Sequence, residues 1–199
     1  SPHFHGGHFH NAHQERDYDI WVSLEESMGD QQRTPPALFP QEKPVYSEPV
    51  PPGLRAVWFG HASVLVELDG YRVFFDPMLS EHAFPVEAIA PKRMNPPPLS
   101  LDELPRIDAA VVSHDHYDHL DMDTILQLEK LGASFFVGLG VGAHLEKWGV
   151  PKEKIHELEW GESAELNGLK IHCTEARHYS GRTSMDKSTL WASWVAEGP

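Results

Sequence analysis

Ile107 to Ser113 reads Ile-Asp-Ala-Ala-Val-Val-Ser, a short apolar run without polar alternation. A strand of that kind must be covered on both faces, which restricts the chain to layered architectures with a sheet inside. The flanking pattern agrees. Leu54 to Phe59, Ser63 to Leu68 and Arg72 to Asp76 are apolar, β-branched or aromatic runs, and Asp69-Gly70 joins the last two as a hairpin signal. Farther on, Asp121 to Leu131 sets Met122, Ile125, Leu126 and Leu128 at helical spacing and ends at Gly132 as a C-cap. Ser134 to Val137 reads as strand and Val141 to Trp148 as helix. Ile155 to Leu158, Leu169 to Glu175 and Thr189 to Ala196 read as strands. Strands first, then strands alternating with helices, predict a layered α/β domain.

The chain before that domain has a different character. Ser1 to Tyr18 is polar and carries His3, His5, His8, His10 and His13 at irregular spacing. It reads as a solvated arm rather than a metal site. Asp19 to Met28 suits a short helix. Pro35, Pro36, Pro40, Pro44, Pro49, Pro51 and Pro52 then forbid a helix or a central strand. The expectation is an arm and an extended wrapping segment over 1–53, followed by a domain over 54–199. Pro85 to Pro98 is Pro-rich again and reads as loop.

With 199 residues, 40% of them hydrophobic, one domain can bury a core. Lys and Arg number 16 against 30 Asp and Glu, a net charge of -14 with His neutral, and no basic stripe interrupts it. A field of that sign repels polyanions, which argues against nucleic acid and against an anionic membrane surface. A neutral or locally apolar peripheral contact with a membrane stays open. No stretch approaches the roughly 20 apolar residues of a membrane span. Cys173 is the single cysteine, so no internal disulfide can form, which fits a reducing compartment; cytoplasmic is the default. Alternating with Ile171, Cys173 reads as a small core residue. The oligomeric state is not legible.

The chemistry concentrates in Ser113-His-Asp-His-Tyr-Asp-His119. Two His two residues apart at the end of a strand, His114 and His116, project to one side and can converge on an ion. Asp118 and His119 follow where the chain turns into the next helix. Imidazole nitrogen and carboxylate oxygen are the donors Zn²⁺ prefers, and Mn²⁺ or Fe²⁺ are compatible with the same set.

His-x-His-x-Asp-His after a strand resembles the signature of the metallo-β-lactamase superfamily, an αββα sandwich holding one or two metals at its sheet edges. Trp58-Phe-Gly-His-Ala-Ser63, Phe75-Asp-Pro77, Leu104-Pro-Arg-Ile-Asp108, Arg177-His-Tyr-Ser180 and Leu190-Trp-Ala-Ser-Trp194 resemble one branch. That branch contains the N-acylphosphatidylethanolamine-hydrolysing phospholipase D and its bacterial relatives, with ascorbate-6-phosphate lactonases more distant. Ser1-Pro-His-Phe and Phe9-His-Asn11 resemble its arm. The resemblance implies that His114, His116 and His178 bind the first metal, and that Asp118 and His119 bind a second. It also implies a bridging Asp in a Gly-Asp-Thr-Gly-like turn and a later His, whereas the chain ends at Glu197-Gly-Pro199. The expectation is therefore the N-terminal half of the sandwich, with an incomplete second site. Its first sheet would lack a covering partner, and the isolated chain would fold poorly.

The implied activity is metal-dependent hydrolysis of a phosphodiester, phospholipase D-like, on a small or phospholipid-like substrate. Asp118 would orient the nucleophile as well as bind metal. A lactonase and a metal-binding fragment without turnover are the alternatives. A di-iron redox branch fits less well, because it usually carries Glu where His116 stands. Asp76, at a strand end, reads either as a carboxylate fixing an imidazole tautomer or as a turn-forming Asp-Pro. His61 is a candidate for the same supporting role, although a core or loop histidine is the simpler reading. Tyr117 and Tyr179 are candidates to line the pocket. Asp115 reads as solvent-facing. Trp191 and Trp194, three apart, face opposite ways on a strand, with at least one in the core.

Overall fold

A computed structural model describes residues 1–13, 38–83, 92–182 and 187–199. The helix expected over Asp19 to Met28 and the first part of the loop after Pro85 lie outside them.

Six strands form the main sheet, in the order β3-β4-β5-β6-β7-β8. They are β3 (Leu54–Gly60), β4 (Ser63–Leu68), β5 (Tyr71–Phe75), β6 (Ala109–Val112), β7 (Ser134–Gly138) and β8 (Ile155–Leu158). The first three are an antiparallel meander, and β5 to β8 run parallel. Helices α1 (Met122–Lys130) and α2 (Gly142–Trp148) supply the crossovers. Ile125, Leu128 and Leu145 of these helices pack with Phe74, Ala110, Val112 and Phe135 on one face of the sheet. As expected from its sequence, β6 is buried on both sides: all four residues from Ala109 to Val112 are inaccessible. Ala110 and Val112 point to the helices, Ala109 and Val111 to the opposite face.

That opposite face is covered, contrary to the expectation of a bare sheet. A second, antiparallel sheet in the order β11-β10-β9 lies over it, built from β9 (Ser163–Leu166), β10 (Leu169–Thr174) and β11 (Ser193–Glu197). Leu169, Ile171 and Cys173 of β10 meet Val73, Ala109, Val111 and Phe136. The unexpected strand is β9. Its sequence Ser-Ala-Glu-Leu is half polar because only Ala164 and Leu166 face the core. Its signal was the turn that follows: Asn167 (φ 52) and Gly168 (φ 98) both occupy the left-handed region, the pairing a two-residue hairpin demands. The last strand also starts later than expected. Leu190 to Ala192 form an extended strap instead, donating from Leu190 to the Leu139 carbonyl and from Ala192 to the Ser113 carbonyl, each at 2.8 Å. The strap lies so close to β7 that a Cβ on Gly138 would stand 2.3 Å from the Leu190 oxygen.

Cys173 sits in the inter-sheet core as expected, and burial pushes its thiol from 9.0 up to about 12. That shift lowers the thiolate fraction about a thousandfold. Native protein is therefore expected to react with an aromatic disulfide reagent more slowly than urea-unfolded protein by about 10–100-fold or more, the higher nucleophilicity of the scarcer thiolate offsetting part of the loss, followed by absorbance.

Most of the described arm, residues 1–13, is exposed, but it is anchored to the domain. Strands β1 (Phe4–His5) and β2 (His8–Phe9) make a small hairpin, and Phe9, 5% exposed, packs on Leu190 and Trp191. Polar composition concealed a single apolar anchor. Residues 38–53 form no helix or strand, in keeping with their prolines, and a fully buried Arg72 pins them. Its guanidinium donates to the Ser47 carbonyl at 2.6 Å, pairs with Glu48, and donates from Nε to Glu67 at 3.0 Å. No helix among the described residues is long and apolar enough to cross a membrane.

Candidate metal centre

The site forms where β6 runs out. Ser113 to His116 leave the strand, and the chain then turns back, with the His119 and Leu120 amides both donating to the His116 carbonyl at 3.0 and 2.8 Å. Fully buried Leu120 anchors that turn and returns His119 against His114, ring centroids 4.2 Å apart. His178 arrives from the second sheet, on the loop after β10. His114 Nε2 lies 2.8 Å from His116 Nδ1 and 3.1 Å from His178 Nε2.

Two donor groups result, each with its ligand-type atoms within 4.8 Å of one another: His114, His116 and His178, and beside them His61, Asp118 and His119. In the second, Asp118 Oδ2 is 3.0 Å from His61 Nε2 and 3.7 Å from His119 Nε2. His61, from the turn between β3 and β4, joins this group rather than standing as a core histidine. All five expected ligands are brought to one place.

Asp76 orients both groups. Its Oδ2 is 2.8 Å from His119 Nδ1 and 2.8 Å from the Ser113 hydroxyl that donates to it. Having given its proton to Asp76, Ser113 Oγ can only accept from His114 Nδ1, 2.8 Å away. Nδ1–H is thereby fixed on His114, and its Nε2 lone pair is aimed at His116 and His178. His119 is fixed the same way, with Nε2 left open toward Asp118. Ser113, which sequence reading passed over, is the relay. His61 (φ 47) and Asp76 (φ 41) both hold left-handed backbone, a conformation costing an L-residue about 1–2 kcal/mol and retained here by these hydrogen bonds.

Burial, together with the neighbouring rings, pushes His114 down to about 2. Burial likewise sets His116 and His178 below the ordinary imidazole value. All three are neutral at pH 7. The second group behaves differently: the hydrogen bond between them holds Asp118 below the usual carboxylate range and His61 above the usual imidazole value. Three neutral imidazoles whose nitrogens crowd one space share too few protons to satisfy every lone pair, whereas one cation satisfies all of them. The donor set therefore fits a borderline divalent ion.

The tyrosines divide. Tyr179 rests edge-on against His116 at 4.9 Å, while Tyr117 lies under the Arg182 guanidinium, 4.0 Å from its ring centre. Neither lines the cavity of about 610 Å³ beside the second group, whose walls include Trp58, Met78, Met94, His61 and Asp118. Asp115 is 1% exposed, not solvent-facing. It points away from the ligand side, but that side is covered: Oδ1 accepts from the Gly181 amide at 2.7 Å, and His144 of α2 is 3.4 Å from Oδ2.

The sequence profile of the family described as "Beta-lactamase superfamily domain" matches residues 71–199, more than half of the chain and all five expected ligands. The chain belongs to this family. An uncharacterized protein of Mycobacterium tuberculosis is 51% identical over 147 residues, which cover 73% of this chain and 40% of that protein. The N-acyl-phosphatidylethanolamine-hydrolyzing phospholipase D 1 of Caenorhabditis elegans is 40% identical over 156 residues, covering 73% of this chain and 44% of the relative. The chain thus spans less than half the length of these curated relatives. Among solved structures, the di-iron β-hydroxylase CmlA of Streptomyces venezuelae superposes with a TM-score of 0.54 at 20% identity, covering 76% of this chain and 29% of CmlA. That likeness concerns the fold alone. The metallo-β-lactamase architecture expected from the sequence is borne out.

Proposed function

We propose that residues 54–199 carry the metal-binding part of a zinc-dependent phosphodiesterase acting on phospholipid-like substrates. One observation carries the reading: two donor groups meet at the Asp76–Ser113 relay, and the second opens on a cavity whose walls are largely apolar, with Lys92 and Arg93 among them. The first metal is assigned to His114, His116 and His178, and the second to Asp118 with His119 and His61. A divalent cation bound there would supply Lewis acidity toward the oxygen under attack and would acidify water toward a pKa of about 7.

The chain's own residues do the rest. Asp118, held deprotonated and half-exposed at the mouth of the cavity, accepts a hydrogen bond from the attacking water and aligns it. Asp76 keeps the imidazole lone pairs aimed inward. Trp58, whose indole donates to the His61 carbonyl at 2.9 Å, fixes the cavity rim and offers an apolar face. Such walls suit a substrate with an apolar portion, and the net charge of -14 favours a neutral or zwitterionic surface around it over an anionic one. The relative from Caenorhabditis elegans, named for hydrolysis of an N-acylated phospholipid, supports the same class.

Zinc-loaded chain incubated with a bis-aryl phosphate, phosphatidylethanolamine vesicles and a lactone panel tests this. Phosphodiester cleavage that stops on chelation is expected. Cleavage of lactones alone, or of nothing, would contradict it.

A further inference from the structure

The N-terminal arm reaches the metal centre through one side chain. Asn11 Nδ2 donates to the His178 carbonyl at 2.9 Å, and Asn11 Oδ1 accepts from the His178 amide at 3.1 Å. A primary amide that pairs with both backbone groups of one residue acts like a sheet neighbour, fixing that residue's position and its rotation. The same oxygen accepts from Trp191 Nε1 at 2.9 Å, and Trp191 is 1% exposed. The clamp is thereby tied to packed core. Phe9, two residues earlier, is seated on Leu190 and Trp191, and its amide donates to the Lys187 carbonyl at 2.8 Å. His178 itself belongs to no helix or strand. Asp115 holds the same loop, but at Gly181, three residues beyond the ring that matters.

We propose that Asn11 is a positioning residue of the metal centre. Its amide holds the His178 backbone so that Nε2 stays within reach of His114 and His116, and docking of the arm sets the metal affinity of the three-imidazole site. This rests on His178 being a ligand, as proposed above. An arm that merely covers Trp191 makes a different prediction: lower stability with unchanged metal affinity.

Zinc affinity of the metal-free chain, measured by competition with a chromophoric chelator, separates the two. Asn11→Ala is expected to weaken binding about 10–100-fold, the usual effect of removing a partner that orients a ligand. Asn11→Asp keeps the acceptor for the His178 amide and Trp191 but loses the donor to the His178 carbonyl. It should fall between Asn11→Ala and the parent, and it carries the comparison should Asn11→Ala fail to fold. In a His178→Ala background, Asn11→Ala should change affinity less than about twofold, because the residue it positions is gone. Parent-like affinity in Asn11→Ala, or a full additional loss in the double variant, would overturn the proposal. Parent-like affinity in His178→Ala would remove the ligand assignment itself, and the two failures are thereby told apart.

Discussion

Chain carrying Ala at both 114 and 116 is expected to bind metal more than about a hundredfold more weakly and to lose turnover while remaining folded. The first donor group keeps only His178 in that variant, and removal of a mere orienting partner already weakens metal sites by up to about a hundredfold. The fold should survive because both rings lie beyond the end of β6, outside the cluster that packs the helices onto the sheet. Metal content after dialysis, with turnover of a bis-aryl phosphate, reads the effect. His172→Ala is the control. Its ring contacts Glu197 on β11 at 2.7 Å, remote from the relay, and it should keep parental metal and turnover.

Arg72→Ala is expected to produce the largest loss of stability, about 3–5 kcal/mol, seen as a lower urea midpoint at pH 7. Arg72 is fully buried and Glu67 is 2% exposed. The variant leaves Glu67 with Arg55 alone, at 3.1 Å, and strips the Ser47 carbonyl and Glu48 of their partner. Removing one member of a buried pair exposes the other's desolvation penalty, whereas replacing both by apolar groups removes it. Arg72→Met combined with Glu67→Leu should therefore recover most of the loss. Equal destabilisation in the single and double variants would contradict this reading of the pair.

What was legible in the sequence was what is local. β6 announced itself because a strand buried on both faces has no polar residue to hide it, and the ligand motif followed within one turn. The hairpin at Asp69-Gly70 was read, yet the equivalent signal at Asn167-Gly168 was not, because β9 exposes half its side chains and resembles loop. Asp115 was misplaced by the assumption that the side of the motif facing away from the ligands meets water. Its burial comes from α2 and from Gly181, contacts 29 and 66 residues distant in the chain. The anchoring of the arm was missed for the same reason. Its composition is polar, and the two residues that matter, Phe9 and Asn11, find their partners some 170 to 180 residues away. Ser113 could have been suspected from chemistry, since a hydroxyl directly before a ligand histidine is placed to relay a carboxylate.

X-ray absorption at the zinc edge of the loaded chain addresses the imidazole cage most directly. Multiple scattering from imidazole rings with Zn–N of about 2.0–2.1 Å is predicted, weakened in the 114/116 double-Ala variant, which keeps only His178 in the first group. A shell of oxygen scatterers alone, identical in parent and variant, would contradict it.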